Sequence, residues 1–152
     1  MALCAAAVLA QPLPPAKALV LDDSEERAVL IPIEAILTAF SNGDAAAMLT
    51  HVYPDGRVTA TGTRGATSIG LRTESWTQFA LRITPATKFD ERIYHPAIEI
   101  DGDVAMVWAA FVVRRDGKIS NCGYDHFDLV RENGVWKVMN LSFSSRTSDC
   151  GE

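Results

Sequence analysis

The chain has 152 residues, 48% of them hydrophobic and 22% charged, with a net charge of −5. That length supports one domain with its own core and is too short for two. The negative balance, with Lys and Arg scattered along the chain, argues against nucleic acid as a partner, because a phosphate backbone would be repelled.

The first stretch, MALCAAAVLAQPLPPAKA, is small and apolar, then Pro-rich, and ends in Ala16-Lys17-Ala18. This A-x-A ending predicts a secretory signal over residues 1–18 and a single domain over 19–152. The run is too short to span a bilayer as a mature helix, so no stable membrane insertion is expected. If the segment is removed the domain is periplasmic or secreted, and otherwise cytoplasmic. Removal leaves two cysteines, Cys122 and Cys150, and an even count in an exported chain favours a disulfide between them.

Asp23 and Glu26 form a capping-box-like helix start, after which Val29, Ile33, Ile36, Leu37 and Phe40 recur at helical spacing. Pro32 falls inside this run, so the helix either kinks there or begins near it. Asn42-Gly43 ends it, and Asp44 caps a short second helix, AAAMLTHV. Tyr53-Pro-Asp-Gly56 is a turn, and Arg57 to Thr61 reads as a short strand. Trp76, Phe79, Ala80 and Ile83 mark a third amphipathic helix, broken by Pro85.

From Lys88 the period becomes extended. Asp101-Gly102, Asp116-Gly117 and Asn133-Gly134 are each strong two-residue hairpin signals, because a type I′ turn needs positive φ at both central positions. They predict a meander of four strands near 88–100, 103–115, 118–132 and 135–146. Helices first and strands second make the fold α+β, with N-terminal helices on one face of an antiparallel sheet.

With three two-residue turns, one row crosses the sheet: His95, Trp108, Asp125, Ser142. Met106, Phe127 and Asn140 share that face. Tyr124, His126 and Asp128 take the other face with Val107, Ala109, Phe111, Met139, Leu141 and Phe143. Lys137 points outward between Trp136 and Val138, which puts the Asp125 row on the helix-covered side. The opposite face remains rich in apolar side chains, and a homodimer through Phe111, Met139, Leu141 and Phe143 is expected. A bulge in the third strand would instead bring His126, with Tyr124 and Asp128, into the interior.

The segments AFSNGDAAAML, HVYPDGRV, IDGDVAMVWAAFVV and RRDGKISNCGYDHFDLVRENGVWKV resemble the nuclear transport factor 2-like superfamily, and within it the SnoaL-like or putative lumazine-binding domains. The resemblance spans about residues 22–146. It implies a cone: a strongly curved sheet wrapped around helices and enclosing an apolar pocket. Members include ketosteroid isomerases, cyclases, dehydratases and non-catalytic binding proteins, so the fold does not fix the function. His51 and Tyr53 take a place that this family often puts at the pocket mouth.

Asp125, between Trp108 and Phe127 on an apolar face, is the leading candidate, since burial raises a carboxyl's pKa and suits it to proton transfer. Its plainer role is to hold strands together through Ser142, Asn140 or the Trp108 indole. His95, about 10 Å away between backbones, is the candidate acid/base partner, or an ordinary solvated His on an outer strand. Trp76 and Phe79 are wall residues, core and pocket being one surface in a cone. His126, Asp128 and Tyr124 lack a third convergent ligand, so no metal is expected. No glycine-rich phosphate loop, CxxC or HExxH pattern occurs, and no cofactor is implied.

Three functions fit. The first is binding of a small apolar or aromatic molecule by Trp108, Asp125, Phe127, Asn140, Ser142, Met106, Tyr53, Trp76 and Phe79. The second is an isomerase, cyclase or dehydratase using Asp125 with His95. The third is an interaction module whose pocket is filled by Trp108, Phe127 and Trp136.

Overall fold

The computed structural model describes residues 23–151. The expected signal segment, residues 1–18, lies outside the described residues. The chain runs α1 (Asp23–Asn42), α2 (Ala45–Thr50), β1 (Arg57–Arg64), β2 (Thr67–Ser68), β3 (Arg72–Ser75), α3 (Trp76–Ala80), then β4 (Asp90–Asp101), β5 (Val104–Arg115), β6 (Lys118–Glu132) and β7 (Val135–Arg146). No helix among the described residues is long and apolar enough to cross a membrane.

Helix α1 passes through Pro32 without ending. It buries Val29, Ile33, Ile36 and Phe40 on one stripe. Its end is a Schellman motif: Gly43, at φ 68°, donates to the Phe40 carbonyl, and Asp44 donates to that of Ala39. The Asp44 carboxylate then accepts from the Ala47 amide at 2.9 Å and starts α2. One acidic residue thus serves two helix ends.

Strands β4 to β7 form the expected antiparallel meander, and the sheet order is β2-β1-β7-β6-β5-β4, with β3 also on β1. Strand β1 runs parallel to β7, with Val58 beside Leu141. The sheet is therefore mixed rather than purely antiparallel, and curved without closing. The hairpin β2 and strand β3, which extend its edge, had no clear signal in the sequence.

The register departs from the simple reading in four places. The first turn centres on Gly102-Asp103, with Asp101 opposite Val104 and Gly102 at φ 59°. Glycine at the first central position is the type II′ arrangement. Strand β4 shifts register between Tyr94 and Ala97. Strand β6 gains an extra residue at Ser120, because Arg114 faces Ile119 whereas Val113 faces Asn121. Strand β7 gains one at Met139, because Leu129 faces Val138 whereas Asp128 faces Asn140. The other two turns pair as expected, Arg115 with Lys118 and Glu132 with Val135.

Each bulge reverses which face follows. Trp136 and Val138 point inward as expected, but past Met139 the inward residues are Leu141 and Phe143. Trp108 sits opposite His126, not Asp125, and Ser142 also faces His126. Asp125 and Phe127 remain inside.

The Met139 bulge has an identifiable cause. Tyr53 donates to the Val138 carbonyl at 2.8 Å, and Val138 donates to that of His51 at 3.0 Å. The Asn140 side chain accepts the Arg57 amide, and the Met139 carbonyl accepts the Trp76 indole N–H at 2.9 Å. The loop from α2 to β1 thus docks on β7 where its ladder is interrupted. A Cβ on Gly56 would stand 1.7 Å from the Met139 oxygen, so only glycine fits this approach.

Candidate functional site

Between the helices and the inner face lies a cavity of about 670 Å³. Its wall is aromatic. Phe40 of α1 meets Phe79 of α3 at 5.8 Å and Phe89 at 4.9 Å between ring centroids, and Phe111 and Phe143 form an edge-on pair at 6.2 Å. Leu141, Ile83 and Val113 complete the apolar lining. Alternation places these residues here: Phe111 and Val113 share the inward side of β5, and the Met139 bulge turns Leu141 and Phe143 to meet them.

Two carboxyls line this apolar space, Asp125 of β6 and Glu91 of β4. Asp125 is 2% exposed, and its Oδ2 receives no hydrogen bond from a fixed donor. The two acids interact with each other through their side chains. Two ionised carboxylates have no donor to offer one another, so the contact becomes a hydrogen bond only when one proton is held between them. Glu91 remains partly accessible because it borders the cavity, yet protein surrounds its carboxyl.

Burial is the main influence on both groups. It pushes Glu91 from its ordinary 4.5 up to about 7, opposed by the hydrogen bond with Asp125. It also raises Asp125 well above the carboxylate range, and the charge of Glu91 and the hydrogen bond to it act in the same direction. The pair is a proton-sharing dyad: burial favours the protonated form of each carboxyl, and the two titrate together.

The structure separates the residues singled out from the sequence. Asp125 and Phe79 line the cavity, whereas Phe127 and Trp76 lie in the closed core behind it. Tyr53 is half-buried in the loop before β1 and does not reach the cavity lining. Trp108, Met106, Asn140 and Ser142 face outward, because the bulges at Ser120 and Met139 reverse the pairing that put them inside. His95 is exposed at the β4 irregularity with φ 49° and is not part of the cavity lining. Conversely, Phe111, Leu141 and Phe143, expected on the outer face, line the cavity, and Met139 occupies the bulge itself.

His126, Tyr124 and Asp128 stay outside despite the bulges. Trp108 stacks on Tyr124 at 5.4 Å, and His126 lies 3.6 Å from the Asp128 carboxylate. Asp128 also accepts from Asn140 at 3.3 Å. Among the described residues, no group of three or more His, Cys, Asp or Glu side chains is placed to hold a metal ion. Cys122 and Cys150 are joined by a disulfide, with Cα atoms 5.6 Å apart.

Glu91 was missed by the sequence reading. The signal was present: Phe89, Glu91 and Ile93 alternate with Asp90, Arg92 and Tyr94, which places Glu91 among inward apolar residues.

Stability should report the dyad. Between the ordinary pKa of Glu91 and its raised value near 7, the folded chain holds a proton that the unfolded chain has released. Stability is therefore full at acid pH and falls as pH rises through neutrality, by on the order of 2 kcal/mol between about pH 5 and 8. Urea unfolding at a series of pH values should show this fall in the native chain and a much flatter profile in Glu91→Gln/Asp125→Asn. An equal slope in both would remove the dyad as its source.

The family described as "Putative lumazine-binding" matches residues 24–144. Solved structures share the fold. A nuclear transport factor 2-like protein of unknown function from Shewanella baltica has a TM-score of 0.60 at 16% identity, covering 83% of this chain and 97% of its own. A cystatin-like-fold protein of the same kind from Novosphingobium aromaticivorans has 0.64 at 15%, covering 84% of each chain. One described as a putative aromatic ring hydroxylase, also from Novosphingobium aromaticivorans, has 0.64 at 18%, covering 82% of this chain and 90% of its own. Identities this low establish the common fold alone. A search of curated proteins finds no match.

Proposed function

The chain belongs to the putative lumazine-binding family of the nuclear transport factor 2-like superfamily, and we propose that it binds a small, largely apolar or aromatic molecule in its cavity. The observation that carries this reading is an aromatic-walled space of about 670 Å³ with a buried, proton-sharing carboxyl pair in its lining. Such a volume suits a compact organic ligand. The Phe40, Phe79, Phe89, Phe111 and Phe143 rings supply apolar area, and the dyad supplies one donor and several acceptors to orient a polar group. Trp108 lies outside and Phe127 and Trp136 lie in the core, which favours an open pocket over a filled interaction module.

A second reading is favoured by the pKa of Glu91. A base poised near neutrality beside an acid of raised pKa suits proton transfer next to a carbonyl. Glu91 would take the proton from carbon while Asp125 donates a hydrogen bond to the carbonyl oxygen. The acid/base pair is then Asp125 with Glu91, since His95 does not line the cavity.

Two further features complete the proposal. Tyr94, Trp108 and Tyr124 are 40%, 47% and 43% exposed on the outer sheet face, and a second copy covering them makes the protein a homodimer. The Cys122–Cys150 disulfide supports an oxidising location, periplasmic or extracellular, after removal of residues 1–18.

Phenylnaphthylamine, an uncharged fluorescent probe, should bind at one site per chain with micromolar affinity. Val113→Phe, which narrows the cavity, should weaken it at least about tenfold. Equal binding by both proteins would overturn the pocket reading. The second reading predicts that a bound ketone exchanges its α-protons with deuterated solvent, and that Glu91→Gln abolishes the exchange. Exchange no faster than in buffer would leave binding alone. Native mass spectrometry of protein recovered from the exporting cell should show a dimer of chains that begin at Leu19. A monomer would remove the dimer, and a retained leader would remove export.

A further inference from the structure

The mouth of the cavity carries four guanidinium groups from four parts of the chain: Arg64 ending β1, Arg72 opening β3, Arg82 after α3, and Arg115 ending β5. Two of them are held in place. Arg82 pairs with Glu74 and lies 5.1 Å above the Phe79 ring. Arg115 lies 5.1 Å above Phe89 and donates to the Thr87 carbonyl at 3.0 Å. Arg64 and Arg72 have no carboxylate partner among the described residues.

This concentration runs against the chain's own balance, which is 14 basic to 19 acidic residues. The acidic residues of the lining are Glu91 and Asp125, and these share a proton. Burial and the partner acid are the influences on each carboxyl, and no arginine is among them. Four cations, phenyl rings and a proton-sharing acid pair thus line one cavity.

We propose that the ligand is an amphipathic anion: a flat or fused apolar body whose outer end carries a carboxylate or similar anionic group. This inference rests on the pocket reading and adds the ligand's charge and direction. The body lies among the phenyl rings. Its neutral polar end meets Asp125 and Glu91, and its anionic end meets Arg64 and Arg72. Guanidinium forks recognise such oxyanions in paired hydrogen bonds, and the aromatic backing of Arg82 and Arg115 holds two more cations at the rim. An anion at the dyad end would instead face Glu91 and be repelled, so orientation follows from charge.

The test compares two fluorescent probes of one framework, anilinonaphthalene sulfonate and uncharged phenylnaphthylamine, on the full chain at neutral pH. The sulfonate should bind at least about tenfold more tightly, the gain expected of a charge-assisted hydrogen bond. That advantage, read as the ratio of the two affinities, should vanish in Arg64→Gln/Arg72→Gln. It should persist in Arg27→Gln/Arg92→Gln, which removes the same charge outside the cavity. Equal affinity for both probes overturns the inference and leaves the pocket reading intact. So does an advantage that survives the cavity-mouth variant, or that falls equally in the control. If Val113→Phe weakens neither probe, the pocket reading fails, and this inference fails with it.

Discussion

The Met139 carbonyl accepts its hydrogen bond from the Trp76 indole instead of from a neighbouring strand, and the composition of the cavity follows from that contact. The interruption adds one residue to β7, so Leu141 and Phe143 turn inward where strict alternation would have turned them out. The same bulge exposes the strand to the loop after α2, whose Tyr53 and His51 bond to Val138. Helix α3 is thereby tied to the sheet, and Phe79 comes to stand in the wall. One misplaced ladder bond links a core tryptophan, a tight glycine approach and the far wall of the pocket.

Against this wall the carboxyl dyad is a conflict of principles. Burial opposes charge on both groups, and an apolar pair of similar volume would serve packing better. A core built only for stability has no use for an acid whose Oδ2 lacks a fixed donor. Such conflict with packing is expected where a protein recognises or transforms something. The arginines at the mouth extend the pattern, since they add cations to an otherwise phenyl-lined space.

The elements were legible from sequence because their signals are local. Helical spacing in α1, the Asn42-Gly43-Asp44 junction and the dipeptides around Gly117 and Gly134 each act within a few residues. The burial of Asp125 was legible too, through its place between Phe127 and the chain's alternation. The site's other members were not. Strand β5 is apolar on both faces, Val104, Met106, Trp108 and Val112 against Ala105, Val107, Phe111 and Val113, so composition did not choose between them. The choice was made by extra residues at Ser120 and Met139, and the second is stabilised by groups more than sixty positions away. Glu91 was visible as an inward position only once β4 was read apart from its partner. The four arginines stand on separate elements and line one cavity only in the fold.

The disulfide between Cys122 and Cys150 closes a covalent ring around the hairpin of β6 and β7, including Asp125 and the Met139 bulge. Its mechanical consequence is directional. Tension applied to the end of the chain passes from Cys150 straight into β6, so it cannot peel β7 away one hydrogen bond at a time. The load instead enters β6 at Cys122, opposite Val112 of β5. The strands that carry the acid and the far wall of the cavity are therefore covalently clamped together.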